Sequence, residues 1–151
     1  MSNNDNGVVA SEGFDQNVAL ARLVDELANP PFHDVLRPEP VRVNEDGSVV
    51  IRLAYRPEFS GRRGDNFFHG GVIATLVDIT AHAAIAVRVN RMVPTVDLRI
   101  DYLRAARAEN LLAKGRILSI GRSLGRSDVE ICCDNGKIVA VGRGVFSTRA
   151  S

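Results

Sequence analysis

The segment Val72–Val87 (VIATLVDITAHAAIAV) decides most of what this chain can become. It is too long for an ordinary strand and rich in alanine, so it predicts a helix of about five turns. Apolar residues occupy every side of it instead of one stripe, and a helix apolar all round is a buried one. A chain of 151 residues fits one domain with one core, so the rest of the chain has to wrap this helix. The run stops short of the roughly 18–20 residues that a membrane span requires.

The C-terminal third supplies the wrapper. From Thr95 to Tyr102 the residues alternate, with Val96, Leu98, Ile100 and Tyr102 on one face and Thr95, Asp97, Arg99 and Asp101 on the other, the period of a strand. Leu111–Ile120 and Ser127–Cys133 read as further strands. Asp134-Asn135-Gly136 reads as a hairpin turn, since asparagine and glycine tolerate the positive φ such turns need, and Ile138–Phe146 is the returning strand. Short links between strands imply antiparallel neighbours. Upstream, Phe14–Ala28 carries apolar residues at helical spacing with Asp15 placed to cap it, and Asn29-Pro30-Pro31 stops that helix. A turn at Asn44–Gly47 leads into the β-branched run Ser48–Tyr55, a strand. Residues 56–66 read as an ordered loop, residues 1–12 as a flexible tail, and residues 13–151 as a single domain. The expected class is α+β: an antiparallel sheet wrapped around a long central helix, with an N-terminal helix.

Composition narrows the function classes. The 19 basic and 18 acidic residues nearly cancel, which argues against nucleic acid as the main partner. Cys132 and Cys133 are adjacent, so on a strand they point to opposite faces and make poor partners for each other; no zinc-site spacing exists. The polar start of the chain lacks the layout of a signal peptide. The expectation is a cytoplasmic protein with no membrane segment, no metal and no cofactor.

Two features carry chemistry. His69-Gly70-Gly71 stands immediately before the buried helix, and Asp78 lies in its middle between Val77 and Ile79. A helix N-terminus offers unpaired backbone N–H groups and a partial positive charge, and glycine lets a ligand carbonyl approach closely. Such a site can serve as an oxyanion hole, or the glycines can simply make a tight turn with His69 packed beneath. Asp78 must face a polar cleft, find a partner such as His82 one turn on, or stand ready to take up a proton as a general base. Asp78 and His82 also have a metal-compatible i, i+4 spacing, but a third ligand is missing nearby. His69 and Asp78 are nine residues apart, which along one helix is about 13 Å. Both reach one reacting carbonyl only if they come from different subunits.

His69-Gly70-Gly71, Asp78 nine residues after the histidine, Thr95-Val96-Asp97-Leu98-Arg99-Ile100-Asp101-Tyr102-Leu103-Arg104 and the ending Gly142-Arg143-Gly144-Val145-Phe146 together resemble the PaaI-like (phenylacetate-pathway type) hotdog thioesterases, over about Val50 to Ser147. The resemblance implies hydrolysis of an acyl-CoA thioester. It implies that Gly70 offers its N–H to the thioester carbonyl, and that Asp78 of the facing subunit is general base or nucleophile. Thr95 then helps hold the water, and His69 supports the loop. Coenzyme A is expected along the interface of a homo-oligomer, a dimer or dimer of dimers, with its phosphates near basic side chains such as Arg104, Arg107 and Arg122. Many relatives carry an asparagine six residues before the histidine; here that position is Arg63, and Asn66 is the nearest asparagine. Arg63, Asn66 and Gly71 are therefore expected around the substrate. A non-catalytic acyl-CoA-binding protein is the alternative that Arg63 motivates. The acyl pocket is expected to be shaped by helix residues such as Ile73, Val77 and Ala81.

Overall fold

The computed structural model describes residues 13–149, and the tail expected over residues 1–12 lies outside them. The elements are α1 (Gln16–Ala28), α2 (Pro31–Leu36), β1 (Glu39–Val43), β2 (Val49–Leu53), α3 (Gly70–Val89), β3 (Thr95–Tyr102), β4 (Leu111–Ile120), β5 (Leu124–Cys133) and β6 (Ile138–Ser147). The strands form one antiparallel sheet in the order β1-β2-β4-β5-β6-β3. Between β2, near one edge, and β3, at the other, the chain passes through α3. That crossover lays the helix along the inner face of the sheet.

The inner face is made to receive it. Leu76, Val77, Ala81 and Ile85 of α3 are fully buried against Ala113, Val129, Ile131 and Phe146; truncating such a leucine or isoleucine to alanine costs about 2–5 kcal/mol. At Gly115 a Cβ would lie 2.7 Å from the Thr80 carbonyl oxygen, and at Gly142 it would overlap Val77. The helix backbone sits this close because those positions have no side chain. Ser127 Oγ, buried in the same face, donates to the Ala81 carbonyl at 2.8 Å.

α1 begins where its cap requires, the Asp15 carboxylate accepting from the N–H groups of Asn17 and Val18. The β1–β2 hairpin closes on Asp46, which accepts from the hydroxyl of Ser48 at 2.5 Å and its N–H at 2.9 Å. These bonds hold the Asp46 carboxyl below its usual range. Cys133 points into the core and Cys132 toward the outer face, as their adjacency requires. Burial, followed by the neighbouring Glu109 carboxylate, pushes the Cys133 thiol up to about 11.

Several expectations need correction. α2 and β1 were not read from sequence: β1 is an exposed edge strand, Glu39-Pro40-Val41-Arg42-Val43, with only Val43 buried, so it lacks the apolar alternation of a half-buried strand. β5 starts at Leu124, three residues before the expected Ser127, because Gly125 is a packing position under Ile85 and not a turn. Helix α3 is 20 residues long and, among the described residues, is the one helix whose length and composition would suit a membrane span. Its apolar surface is instead taken up by the sheet.

Nor is α3 buried all round. Gly71 is exposed, and Ala74, Thr75, Asp78 and His82 are partly so, forming a stripe that the sheet does not cover. Ile73, Val77 and Ala81 face the core, so the residues bordering any pocket on the open side are Ala74 and Thr75. The strict alternation expected in β3 is broken by a bulge between Thr95 and Asp97. Val96 and Tyr102 remain 58% and 52% exposed, while Leu98 and Ile100 are half-buried.

Candidate active site

The loop before α3 is fixed from both sides. His69 N–H donates to the Phe59 carbonyl at 2.7 Å, and Phe68 N–H to the Ala106 carbonyl at 2.8 Å. Phe68 is buried, stacked on Phe59 and edge-on to Tyr55. This holds the first turn of α3 with its donors in known states. His69 is the N-cap, its Nδ1 accepting the Gly71 N–H at 2.9 Å. The N–H groups of Val72 and Ile73 are directed to the His69 carbonyl. Among the described residues the Gly70 N–H has no acceptor. An unpaired N–H at a helix N-terminus is a ready anion-binding donor. The Gly71 N–H, by contrast, is already occupied.

Asp78 stands two turns further along the open stripe. Its Oδ1 accepts from the Thr95 hydroxyl at 3.1 Å, which sets Thr95 directly beside the carboxylate. His82 is not its partner. His82 Nδ1 lies 3.0 Å from Glu26 Oε1 on α1, and Nε2 accepts the Val93 N–H at 3.3 Å.

Edge strand β3 connects the two halves. Thr95 at its start touches Asp78, and Tyr102 at its end donates its hydroxyl to the Gly70 carbonyl at 2.8 Å. Within one chain α3 is continuous from Gly70 to Val89, so the separation of about 13 Å between His69 and Asp78 expected from helix rise holds.

The basic candidates divide. Loop 60–68 is joined to loop 103–108 through the Phe67–Arg107 bridge and the Ala108 N–H to Asn66 carbonyl bond at 3.0 Å. Arg63, Asn66, Arg104 and Arg107 are all exposed on this pair of loops, beside Gly70. Arg104 is anchored by a bond from Nη1 to the Ile138 carbonyl at 2.7 Å. Arg122 lies apart from them, in the β4–β5 turn at the opposite end of the sheet, where Thr148 N–H bonds the Ser123 carbonyl. β6 spans ten residues between the two ends, about 30 Å. Sequence reasoning missed Tyr102 and Glu26, whose roles depend on contacts across 32 and 56 positions of chain.

A concavity of about 520 Å³ lies elsewhere: on the outer face of the sheet, lined by Arg99, Lys114, Arg116, Asp128 and Arg143. Asp128 there pairs with Arg143 at 2.7 Å and Arg116 at 3.5 Å. It contains neither Asp78 nor Gly70. Asp78 and Gly70 belong to α3, on the opposite face of the sheet from this groove.

A long helix enclosed by one antiparallel sheet is the hotdog fold. Comparison with protein families matches residues 65–140 to the thioesterase superfamily, and the chain belongs to that family. A Halobacterium salinarum protein provisionally named an esterase is 30% identical, covering 89% of this chain and 95% of its own length. The medium/long-chain acyl-CoA thioesterase YigI of Escherichia coli is 31% identical, over 73% of this chain and 81% of its own. The structure of the E. coli PaaI protein from the phenylacetic acid degradation operon superposes with a TM-score of 0.78 at 22% identity, covering 90% of this chain and 96% of that one. The fold is therefore the PaaI-like one, and thioester hydrolysis is the activity of the class.

Proposed function

We propose that this protein hydrolyses an acyl-coenzyme A thioester at sites shared between two subunits. The observation that carries the reading is the placement of Asp78 and Gly70 at opposite ends of the same open edge strand. Among the described residues β3 has only β6 as a neighbour, so its outer edge is open for pairing. When two copies pair β3 antiparallel about a two-fold axis, the Thr95 end of one lies opposite the Tyr102 end of the other. Asp78 of one subunit then faces Gly70 of its mate, twice per dimer.

In such a site the thioester carbonyl accepts from the Gly70 N–H. Asp78, aided by the Thr95 hydroxyl, takes a proton from water as the water oxygen attacks the carbonyl carbon. Charge developing on the carbonyl oxygen is met by the Gly70 donor and the positive end of α3. The carbon–sulfur bond then breaks, and the proton passes from Asp78 to the departing thiolate. In the variant of this chemistry the carboxylate attacks the thioester carbonyl, the carbon–sulfur bond breaks to release the thiolate, and an Asp78–acyl anhydride forms. Label found in Asp78 after a single turnover in labelled water, from water opening the anhydride at the Asp78 carbon, identifies this route. Arg104, Arg107 and Arg63 provide charge for the coenzyme A phosphates beside Gly70. The name of the E. coli relative directs a substrate panel toward medium and long acyl chains.

Coenzyme A release, followed with a thiol reagent, tests the reading. Wild type is expected to turn over, and Asp78→Ala to lose activity while keeping the wild-type oligomer. Full activity in Asp78→Ala contradicts the assignment. Saturable binding with no release from any acyl-CoA favours the binding-protein alternative and makes Arg63 the first residue to replace.

A further inference from the structure

We infer that His82 and Glu26 are positioning residues of this site, holding the segment Val93–Thr95 so that the Thr95 hydroxyl meets Asp78; the inference rests on the role proposed above for Asp78. Asp78 and His82 are one turn apart on α3, and both reach the same short segment. Asp78 takes the Thr95 hydroxyl at 3.1 Å and His82 Nε2 takes the Val93 N–H at 3.3 Å.

The tautomer follows from the partners. A backbone N–H can only donate, so Nε2 presents its lone pair. The ring proton is then on Nδ1, 3.0 Å from the Glu26 carboxylate, which accepts it. Glu26 thereby selects the one ring form that can hold Val93. His82 and Glu26 side chains are 18% and 20% exposed, sheltered enough for this choice to be maintained.

The Val93 side chain is fully buried in the core, but that anchor does not set the direction of Thr95 two residues on. Ser147 N–H donates to the Pro94 carbonyl at 2.8 Å, and the β3–β6 ladder then begins with the bulge between Thr95 and Asp97. A bulge interrupts the regular ladder that would otherwise set the direction of the Thr95 side chain. The His82 ring also stands edge-on to Phe146 at 5.7 Å, and Phe146 is the register partner of Thr95. One imidazole thus touches the segment upstream of Thr95 and its neighbour across the sheet. Without the Nε2 acceptor, the Val93 N–H loses its partner next to a fully buried side chain. The segment moves to satisfy it, and Thr95 moves too.

The test uses the full-length oligomer and four variants: His82→Phe, His82→Gln, Thr95→Val and Asp78→Ala. Phenylalanine keeps the ring contact to Phe146 and removes both nitrogens, whereas glutamine extends a carbonyl oxygen to about the reach of Nε2. His82→Phe is expected to lower kcat about 10- to 100-fold, the scale of a small misplacement at a reacting centre, with KM unchanged. His82→Gln is expected to recover most of the rate. In a Thr95→Val background His82→Phe should add no further loss, because the two act in series.

Wild-type kcat in His82→Phe, or a loss that multiplies in full with that of Thr95→Val, overturns the inference while a dead Asp78→Ala leaves the hydrolytic reading standing. If wild type releases no coenzyme A, the hydrolytic reading fails. Hydrogen exchange at the Val93 amide then decides the clamp on its own: slow in wild type and His82→Gln and fast in His82→Phe supports it. Equal exchange in all three overturns it.

Discussion

At Gly70 the chemistry resides in a backbone N–H, so it can be deleted without touching a side chain. Proline is tolerated as the first residue of a helix, and His69 already has the extended backbone (φ −61°, ψ 136°) that precedes a proline. Gly70→Pro is expected to fold and to lose about 10²- to 10³-fold in kcat, the scale of one oxyanion donor. Gly70→Ala keeps the N–H, and its Cβ would meet the Tyr102 ring at 3.5 Å, an ordinary contact; near-wild-type turnover is expected. Steady-state kinetics on the pair separates the donor from the shape of the turn. Cys133 gives a second residue-scale prediction. Its folded thiol is pushed up to about 11 from 9.0, so between those values the unfolded chain has released a proton that the native state retains. Stability therefore falls as pH rises through this window, and urea titrations should show the decline shrinking in Cys133→Ala. His69, Gly70 and Asp78 were legible in the sequence because each is a residue type at odds with its surroundings. The hold on Asp78 was not, since Glu26 and Val93 reach His82 from α1 and from beyond the end of α3.

The elements show the same division. α3 announced itself through continuous apolar character, and β3, β4 and β6 through alternation and turn residues. Gly125, Gly115 and Gly142 could be read only once the helix was seen beneath them. Gly115→Ala tests this close approach: its Cβ would press on the Thr80 backbone at 2.7 Å, where the helix cannot yield cheaply. The expected cost is about 1–3 kcal/mol, and Tm by calorimetry should fall about 2–4 °C per kcal/mol. β1 escaped notice because an edge strand exposed along most of its length has no apolar face to display. The β1–β2 turn gives an acid-side counterpart. Asp46 is held low by Ser48, so its contribution is present above its unfolded value of 3.8 and is lost as pH falls through the lower folded value. Ser48→Ala should flatten that part of an acid unfolding curve.

For the whole molecule, the incomplete surface is the informative one. A single chain leaves an open stripe on α3, a free edge on β3, and exposed Val96 and Tyr102 beside it. If His69 and Asp78 act on one carbonyl, helix rise alone calls for two subunits; in the dimer proposed above, β3 is the strand they share. That requirement can be tested by complementation. Asp78→Asn and Gly70→Pro subunits, each inactive alone, are mixed in equal amounts and allowed to reassemble. In a shared-site dimer, half the dimers are mixed, and each of these regains one site of two, restoring about a quarter of wild-type coenzyme A release. No restored activity in a mixture shown to contain mixed dimers would place the whole site within one chain and contradict the account.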